Sequence, residues 1–293
     1  HDGALDMGTG YDCFDERAHS ANPTISPNAR ENRQRLSSAM EKEGFAGYSK
    51  EWWHFTLSGE GAPKDVMDFP ITPMSTSDVI GASGQLIVVT SRNWDDIQGT
   101  AQRYERDGKT FRKVGDAFPV VVGKNGMGWG KGLGSVEAVE GPVKREGDGK
   151  APAGIFKLGT AFGYDTSADT RLPYLALTPT TECVDDSQSS RYNELVDGAA
   201  ITKDWSSSER MRNEEGYRKG IFIEHNTPAT AASGSCIFFH VWRAPTSPTA
   251  GCTAMDQADI AALLKWLDPR ESPLLVQMPE AQYERFREGW KLP

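Results

Sequence analysis

Cysteine is scarce in this 293-residue chain: Cys13, Cys183, Cys236 and Cys252 are the only four, too sparse for a disulfide framework and without a Cys-x-x-Cys pair to hold zinc. Long apolar runs are absent too, and no stretch approaches the ~20 residues of a membrane span. Basic charge is in deficit. The 32 Lys and Arg face 41 Asp and Glu, and the net charge of −9 argues against nucleic acid and against an anionic membrane surface as partners. Internal repeats are missing as well. What is present is 38% hydrophobic residues, enough to bury a core, in a length that suits one large or two smaller domains.

Thr72-Pro73-Met74-Ser75-Thr76-Ser77-Asp78 and Gly81-Ala82-Ser83-Gly84 are small, polar and turn-forming. The expected division is therefore a domain over residues 1–74, a linker over 75–84 and a domain over 85–293. The second domain opens with the strand pattern Gln85-Leu86-Ile87-Val88-Val89-Thr90. In the first, Ser26-Pro27 reads as an N-cap with Pro at N1 of a helix that ends at Gly44. In the second, Ala101 to Val114 reads as a hairpin turning at Asp107-Gly108 in a type I′ turn. The glycine-dense run from Gly123 to Gly134 lacks the Gly-Lys-Ser/Thr ending of a phosphate loop and is expected to be a flexible turn. The polar segment from Thr180 to Glu215 reads as a long insertion of the kind that forms lids, with Tyr192, Trp205 and Arg212 as substrate contacts or solvated surface. Glu280 to Trp290 reads as a helix anchored by Tyr283, Phe286 and Trp290.

The candidate chemistry lies in Thr249-Ala250-Gly251-Cys252-Thr253, with His240 upstream at the end of Cys236-Ile237-Phe238-Phe239-His240-Val241-Trp242. Downstream, Ile260, Leu263, Leu264 and Leu267 follow the spacing of an amphipathic helix. A thiol near a helix start gains from its N–H groups, and a neighbouring imidazole can take its proton to form a nucleophilic ion pair near neutral pH. Gly251 permits a tight turn and close substrate approach. The plain alternative is a buried, inert cysteine beside a core histidine, but the Pro- and Thr-rich surroundings read as a loop, where active groups concentrate. His225, in Ile223-Glu224-His225-Asn226, is a second candidate for the base. A catalytic Cys252 must stay out of any disulfide.

His240 followed by Thr249-Ala250-Gly251-Cys252 resembles the signature of the L,D-transpeptidase (YkuD-like) catalytic domain. Glu146-Gly147-Asp148-Gly149-Lys150-Ala151-Pro152-Ala153-Gly154-Ile155-Phe156 resembles a second segment of that family, a turn leading into a strand that borders the active-site sheet. Several transpeptidases carry a second His before the Gly-Cys pair, where this chain has Ala250, which leaves His240 as the base. The resemblance implies a metal-free cysteine acyl transfer on peptidoglycan stem peptides that releases D-alanine, with Gly251 and Cys252 N–H groups holding the oxyanion. It implies a mostly-β sandwich or barrel with a C-terminal helix, located in the periplasm or outside the cell at the cell wall.

The N-terminal quarter has a different character. Glu51-Trp52-Trp53-His54-Phe55 sets an acid three residues before a histidine, a pairing found beside metal-bound water and equally in an aromatic core strand. Together with Met7-Gly8-Thr9-Gly10-Tyr11-Asp12-Cys13 through His19, Asn32-Arg33-Gln34-Arg35-Leu36 and Gly44-Phe45, it resembles the D-alanyl-D-alanine dipeptidase family, zinc peptidases that include the vancomycin-resistance type. The resemblance makes this a smaller α+β part-domain, implies Glu51 as general base and His54 as a zinc ligand, and points to D-Ala-D-Ala-type precursors. The family's upstream Ser-x-His-x-x-Gly-x-Ala-x-Asp ligand motif does not occur, and His1 and Asp2 cannot replace it on spacing. Zinc is expected only if the missing ligands are supplied, and the chain is expected to be a piece of a longer one. Three alternatives accompany the acyl-transfer reading: zinc dipeptidase as the main activity, a cysteine peptidase that only hydrolyses, and a wall-binding module with both sites inert.

Overall fold

A computed structural model describes residues 5–11, 13–57, 80–134 and 140–293, and its contacts divide the chain into two units, His1–Ile71 and Thr72–Pro293. The residues 75–79 of the expected linker lie outside the described residues, and residues 80–82 are helical.

In the first unit, helix α1 (Pro27–Lys42) begins where sequence reasoning places it. The Ser26 hydroxyl accepts from the Ala29 N–H at 3.0 Å, Pro27 occupies N1, and Gly44 at φ +84° lets the chain leave. Strands β1 (Phe45–Gly47) and β2 (Phe55–Leu57) pair antiparallel. Arg33 is buried, and its guanidinium donates to the carbonyls of Met7, Arg17 and His19, which gathers the segment before the helix around one cation.

The second unit is mostly β, with a barrel-like sheet. β3 (Gln85–Ser91), β4 (Gln98–Asp107) and β5 (Thr110–Val121) form an antiparallel meander. β6 (Met127–Trp129) runs parallel to the long β7 (Ala151–Gly163), which also receives the short β8 (Tyr174–Ala176). After an insertion come β12 (Lys219–Ile223), β13 (Phe238–Val241), β14 (Thr253–Met255) and β15 (Leu274–Pro279). The order β12-β13-β14-β5-β4-β3-β15-β7 returns to β12 through a β12–β7 pairing, so these strands close on themselves. Closure removes the unpaired edges that an open sheet exposes. Leu86, Ile87, Ile155, Phe156, Ile221, Phe239 and Leu275 belong to the hydrophobic core of this unit, all 1% exposed or less.

The helix after the cysteine, α2 (Gln257–Trp266), buries Ile260, Leu263 and Leu264, with Leu267 just beyond, along the stripe read from their spacing. The last helix, α3 (Glu280–Arg287), anchors as expected: Phe286 stacks on Trp290 at 4.3 Å and meets Trp129 edge-on at 5.9 Å. The hairpin turn differs in register from its expectation. Asp107 pairs with Thr110, so the turn residues are Gly108 and Lys109, and of these Gly108 alone has positive φ, as a type II′ turn requires. Within the glycine-dense run the Gly126 N–H bonds the Gly123 carbonyl, and Met127 to Gly130 are buried.

The insertion has a sheet of its own, in which β9 (Thr181–Val184) lies between β10 (Leu195–Asp197) and β11 (Ser208–Arg210). Burial alone would raise the Glu182 carboxyl, but hydrogen bonds from Lys203, Ser208 and Trp205 bring it down to about 2. Tyr192, Trp205 and Arg212 do not line the cleft. The Tyr192 hydroxyl bonds Glu146, Trp205 bonds Glu182, and Arg212 donates to the carbonyls of Tyr164 and Leu177. Cys183 of β9 forms a disulfide with Cys236, just ahead of β13. Replacing both by alanine should destabilise the protein by about 3 kcal/mol, measured by urea unfolding, and a loss near zero would show that the staple restrains nothing.

Candidate active site

Strands β13 and β14 are parallel neighbours, so the chain between them must cross over, and residues 242–252 make that loop. Pairing of His240 with Ala254 sets the geometry. Cys252 lies two residues before Ala254, and side chains alternate along a strand, so His240 and Cys252 project from the same face at diagonal positions. Both open onto a cleft of about 590 Å³ whose walls also include Thr249, Gly251, Glu209 and Tyr217.

Thr249 shapes the turn before the cysteine. Its hydroxyl donates to the Cys252 carbonyl at 2.6 Å and accepts the Gly251 N–H at 3.1 Å. A side chain at 251 would meet the Lys150 carbonyl oxygen at 3.0 Å, which is why glycine suits the position. The Gly251 N–H is thus already engaged, contrary to its expected part in an oxyanion site. For the Cys252 N–H no partner is present among the described residues.

Cys252 is free and 7% exposed. Its sulfur lies 3.5 Å from the Cys236 carbonyl and accepts the Phe238 N–H at 3.4 Å. Burial above all, with the Glu209 charge added, pushes its thiol up to about 12. The expected helix-start contribution is missing because β14 separates Cys252 from α2, and the Asp256 side chain caps that helix at Ala258. His240 Nδ1 bonds the Val241 carbonyl at 2.9 Å, which assigns its proton to Nδ1 and leaves Nε2 as an acceptor. Burial holds its imidazole down to about 4. The two shifts together favour a neutral thiol and imidazole at rest over the ion pair expected from the sequence. Gly216 protects this arrangement, since a Cβ there would lie 2.7 Å from the Val241 carbonyl oxygen and 3.0 Å from His240 Nδ1.

His225, the second candidate base, is 1% exposed, bonds the Ser233 carbonyl through Nε2 at 3.0 Å, and is not among the residues that line the cleft. The segment around Asp148 forms the turn into β7 that the resemblance implies. Asp148 accepts from Lys144 Nζ and from the Arg145 and Lys150 N–H groups, and the Lys144–Asp148 pair is mostly buried. Sequence reasoning missed Glu209 and Tyr217, whose hydroxyl donates to Glu209 Oε1 at 2.7 Å. No motif marks them, and only the fold of the insertion brings Glu209 to the cleft.

In the N-terminal unit, Glu51 and His54 do meet: Glu51 Oε2 lies 2.9 Å from His54 Nδ1, with the histidine half exposed. That donor set does not fit a catalytic zinc, which takes three protein ligands. Among the described residues no group of three His, Cys, Asp or Glu side chains could hold a metal ion. His1 and Asp2 lie outside the described residues.

Comparison with known proteins matches each unit separately. A family model described as the L,D-transpeptidase catalytic domain covers residues 96–276, and one described as D-ala-D-ala dipeptidase covers residues 1–72. Among curated relatives, the D-alanyl-D-alanine dipeptidase of Enterococcus faecium is 49% identical over 65 residues, 22% of this chain and 32% of its own length. That of Escherichia coli K12 is 47% identical over 57 residues, 20% of this chain and 30% of its own. The chain therefore spans about a third of the length of the curated relatives it matches.

Burial of both imidazoles has a pH signature. Between pH 6.5 and about 4 the unfolded chain binds protons that His225 and His240 refuse in the folded state, so each withdraws stability as the pH falls. Glu209, raised by burial to about 7 from an ordinary value of 4.5, acts oppositely and adds stability as the pH falls between those two values. The His240 ring protons followed by NMR should titrate near pH 4, and a midpoint near 6.5 would mean a solvated imidazole.

Proposed function

The chain belongs to the L,D-transpeptidase catalytic domain family, and from that premise we propose that it is an enzyme of peptidoglycan stem-peptide processing in which Cys252 is the acyl-transfer nucleophile and His240 its base. The observation that carries the reading is the register of β13 on β14, which sets a free cysteine and a histidine with an open Nε2 on one face of one cleft. In the first step the Cys252 thiol gives its proton to His240 Nε2 as the sulfur attacks the carbonyl between an L-centre, such as that of meso-diaminopimelate, and D-alanine. Because burial resists separate charges on both groups, proton transfer accompanies attack rather than preceding it. The Cys252 N–H, without a partner among the described residues, serves as donor to the developing oxyanion. His240 then returns the proton to the leaving amine, D-alanine departs, and a thioester remains. An amine of a second stem peptide, a free D-amino acid or water resolves the thioester, with His240 again taking the proton. Thr249 and Gly251 act on this chemistry by holding the turn.

The N-terminal unit adds a second element directed at the same class of compound, since the relatives it resembles are named for D-alanyl-D-alanine. Glu51 as a base and His54 as a zinc ligand are roles this pair would take only with ligands from outside the described residues, so no step here passes through a metal. No helix among the described residues is long and apolar enough to cross a membrane, and a stem-peptide substrate supports a periplasmic or extracellular, cell-wall location.

Incubation with a disaccharide-tetrapeptide should give a thioester adduct on the Cys252 peptide and released D-alanine. The Cys252→Ala variant should lose both, and also lose acylation by a carbapenem, a drop of at least ~10³-fold for removal of a nucleophile. An adduct that persists unchanged in Cys252→Ala would overturn the assignment.

A further inference from the structure

One carboxylate in the cleft has no part in the acyl-transfer steps. Glu209 lies on β11 opposite Cys183 of β9, and Cys183 is disulfide-bonded to Cys236, whose carbonyl faces the Cys252 sulfur. The insertion sheet is thereby stapled beside the nucleophile with Glu209 on the cleft wall. Tyr217, from the 3-10 turn Glu215–Arg218, links the two. Its hydroxyl donates to Glu209 Oε1 at 2.7 Å, its ring meets His240 edge-on at 5.2 Å, and it packs in the same buried cluster as Cys252.

The other charges around the cleft are occupied differently. Glu214 pairs with Arg243 at 2.9 Å, Lys144 pairs with Asp148, and Glu146 accepts from Tyr192 and Ser235. Asp185, also on the cleft wall, has a buried oxygen without a partner. Among the described residues no cation forms a salt bridge with Glu209, so its charge is directed at a buried sulfur with the Tyr217 hydroxyl as its hydrogen-bond donor.

We infer that Glu209, acting through the Tyr217 hydroxyl, is a positioning residue that keeps Cys252 a thiol in the resting cleft and yields that hydroxyl to the sulfur when its own carboxyl is protonated. In the resting arrangement a negative charge stands nearby and opposes a thiolate, and the Tyr217 hydroxyl, whose hydrogen bond favours the thiolate, is shared with Glu209. When Glu209 takes a proton, its charge is gone and its own O–H can donate to the Tyr217 oxygen. The Tyr217 hydrogen is then given to the sulfur in full, and Tyr217 stays protonated throughout because burial raises it well above its ordinary value. The directions agree with this coupling. Burial, opposed by the Tyr217 bond and helped by the charges of Glu214 and Asp185, raises Glu209 to about 7, and Glu209 in turn raises Cys252.

The inference rests on Cys252 being the reactive thiol, and its test reads that thiol without any stem peptide. Iodoacetamide alkylation of the full chain is followed against pH by mass spectrometry on the peptide that carries Cys252, which separates it from the free Cys13. Glu209→Gln keeps an oxygen for Tyr217 and removes the charge. It should lower the alkylation midpoint by roughly one pH unit, about tenfold in rate at a fixed pH below the midpoint. Tyr217→Phe keeps the ring against His240, removes the donor and should raise the midpoint. An unchanged or raised midpoint in Glu209→Gln overturns the inference. If that variant shows no cooperative thermal unfolding, Tyr217→Phe decides, and an unchanged or lowered midpoint there overturns it. Alkylation shifts as stated in a protein that forms no thioester with tetrapeptide would sink the proposed function and leave this coupling standing.

Discussion

The site depends on one constraint, the parallel pairing of β13 with β14. A parallel neighbour cannot be reached by a tight turn, so the chain makes a long crossover before it re-enters the sheet. That crossover carries Thr249, Gly251 and Cys252, and re-entry at Thr253 delivers the sulfur two residues ahead of the position paired with His240. A slip of one residue would turn the cysteine to the opposite face of the sheet. The buried Thr253–Gln277 hydrogen bond, 2.7 Å between side chains, and the Gln277 bond to the Pro152 carbonyl tie this register to β15 and β7.

Burial then decides the chemical state of what the register assembles. The same desolvation that lowers His240 raises Cys252 and Glu209, so each group is held in its neutral form more firmly than in water. A thiol held this way is a poor target for alkylating and oxidising agents at rest, and under the proposed acyl transfer its reactivity would await a substrate that drives proton transfer and bond formation together. The Val241 carbonyl contributes by orientation. It selects the imidazole tautomer that leaves Nε2 open, and Gly216 leaves the space for that bond.

In the N-terminal unit the motif pair is assembled, and the described residues do not complete a zinc site around it. Glu51 and His54 touch, and Arg33 gathers three carbonyls around the loop before α1, so the local structure of that segment is well defined. What a zinc site needs beyond this is a convergence of ligands from distant positions, and the described residues of this unit do not supply it.

Much was legible from the residues in order. The Ser26-Pro27 start of α1, the apolar stripe of α2, the anchoring aromatics of α3 and the cysteine loop are all local patterns, and local patterns report on dihedral preference and burial. Sequence by itself determined these local elements and the residue types at the candidate site. Only the tertiary structure decided that β14 stands between Cys252 and the helix, that Cys183 pairs with Cys236, and that Tyr192, Trp205 and Arg212 serve the scaffold while Glu209 and Tyr217 face the cleft. Each of these turns on which distant segments become neighbours and on how much water their packing excludes. Contact and desolvation arise between elements, and a linear pattern records neither.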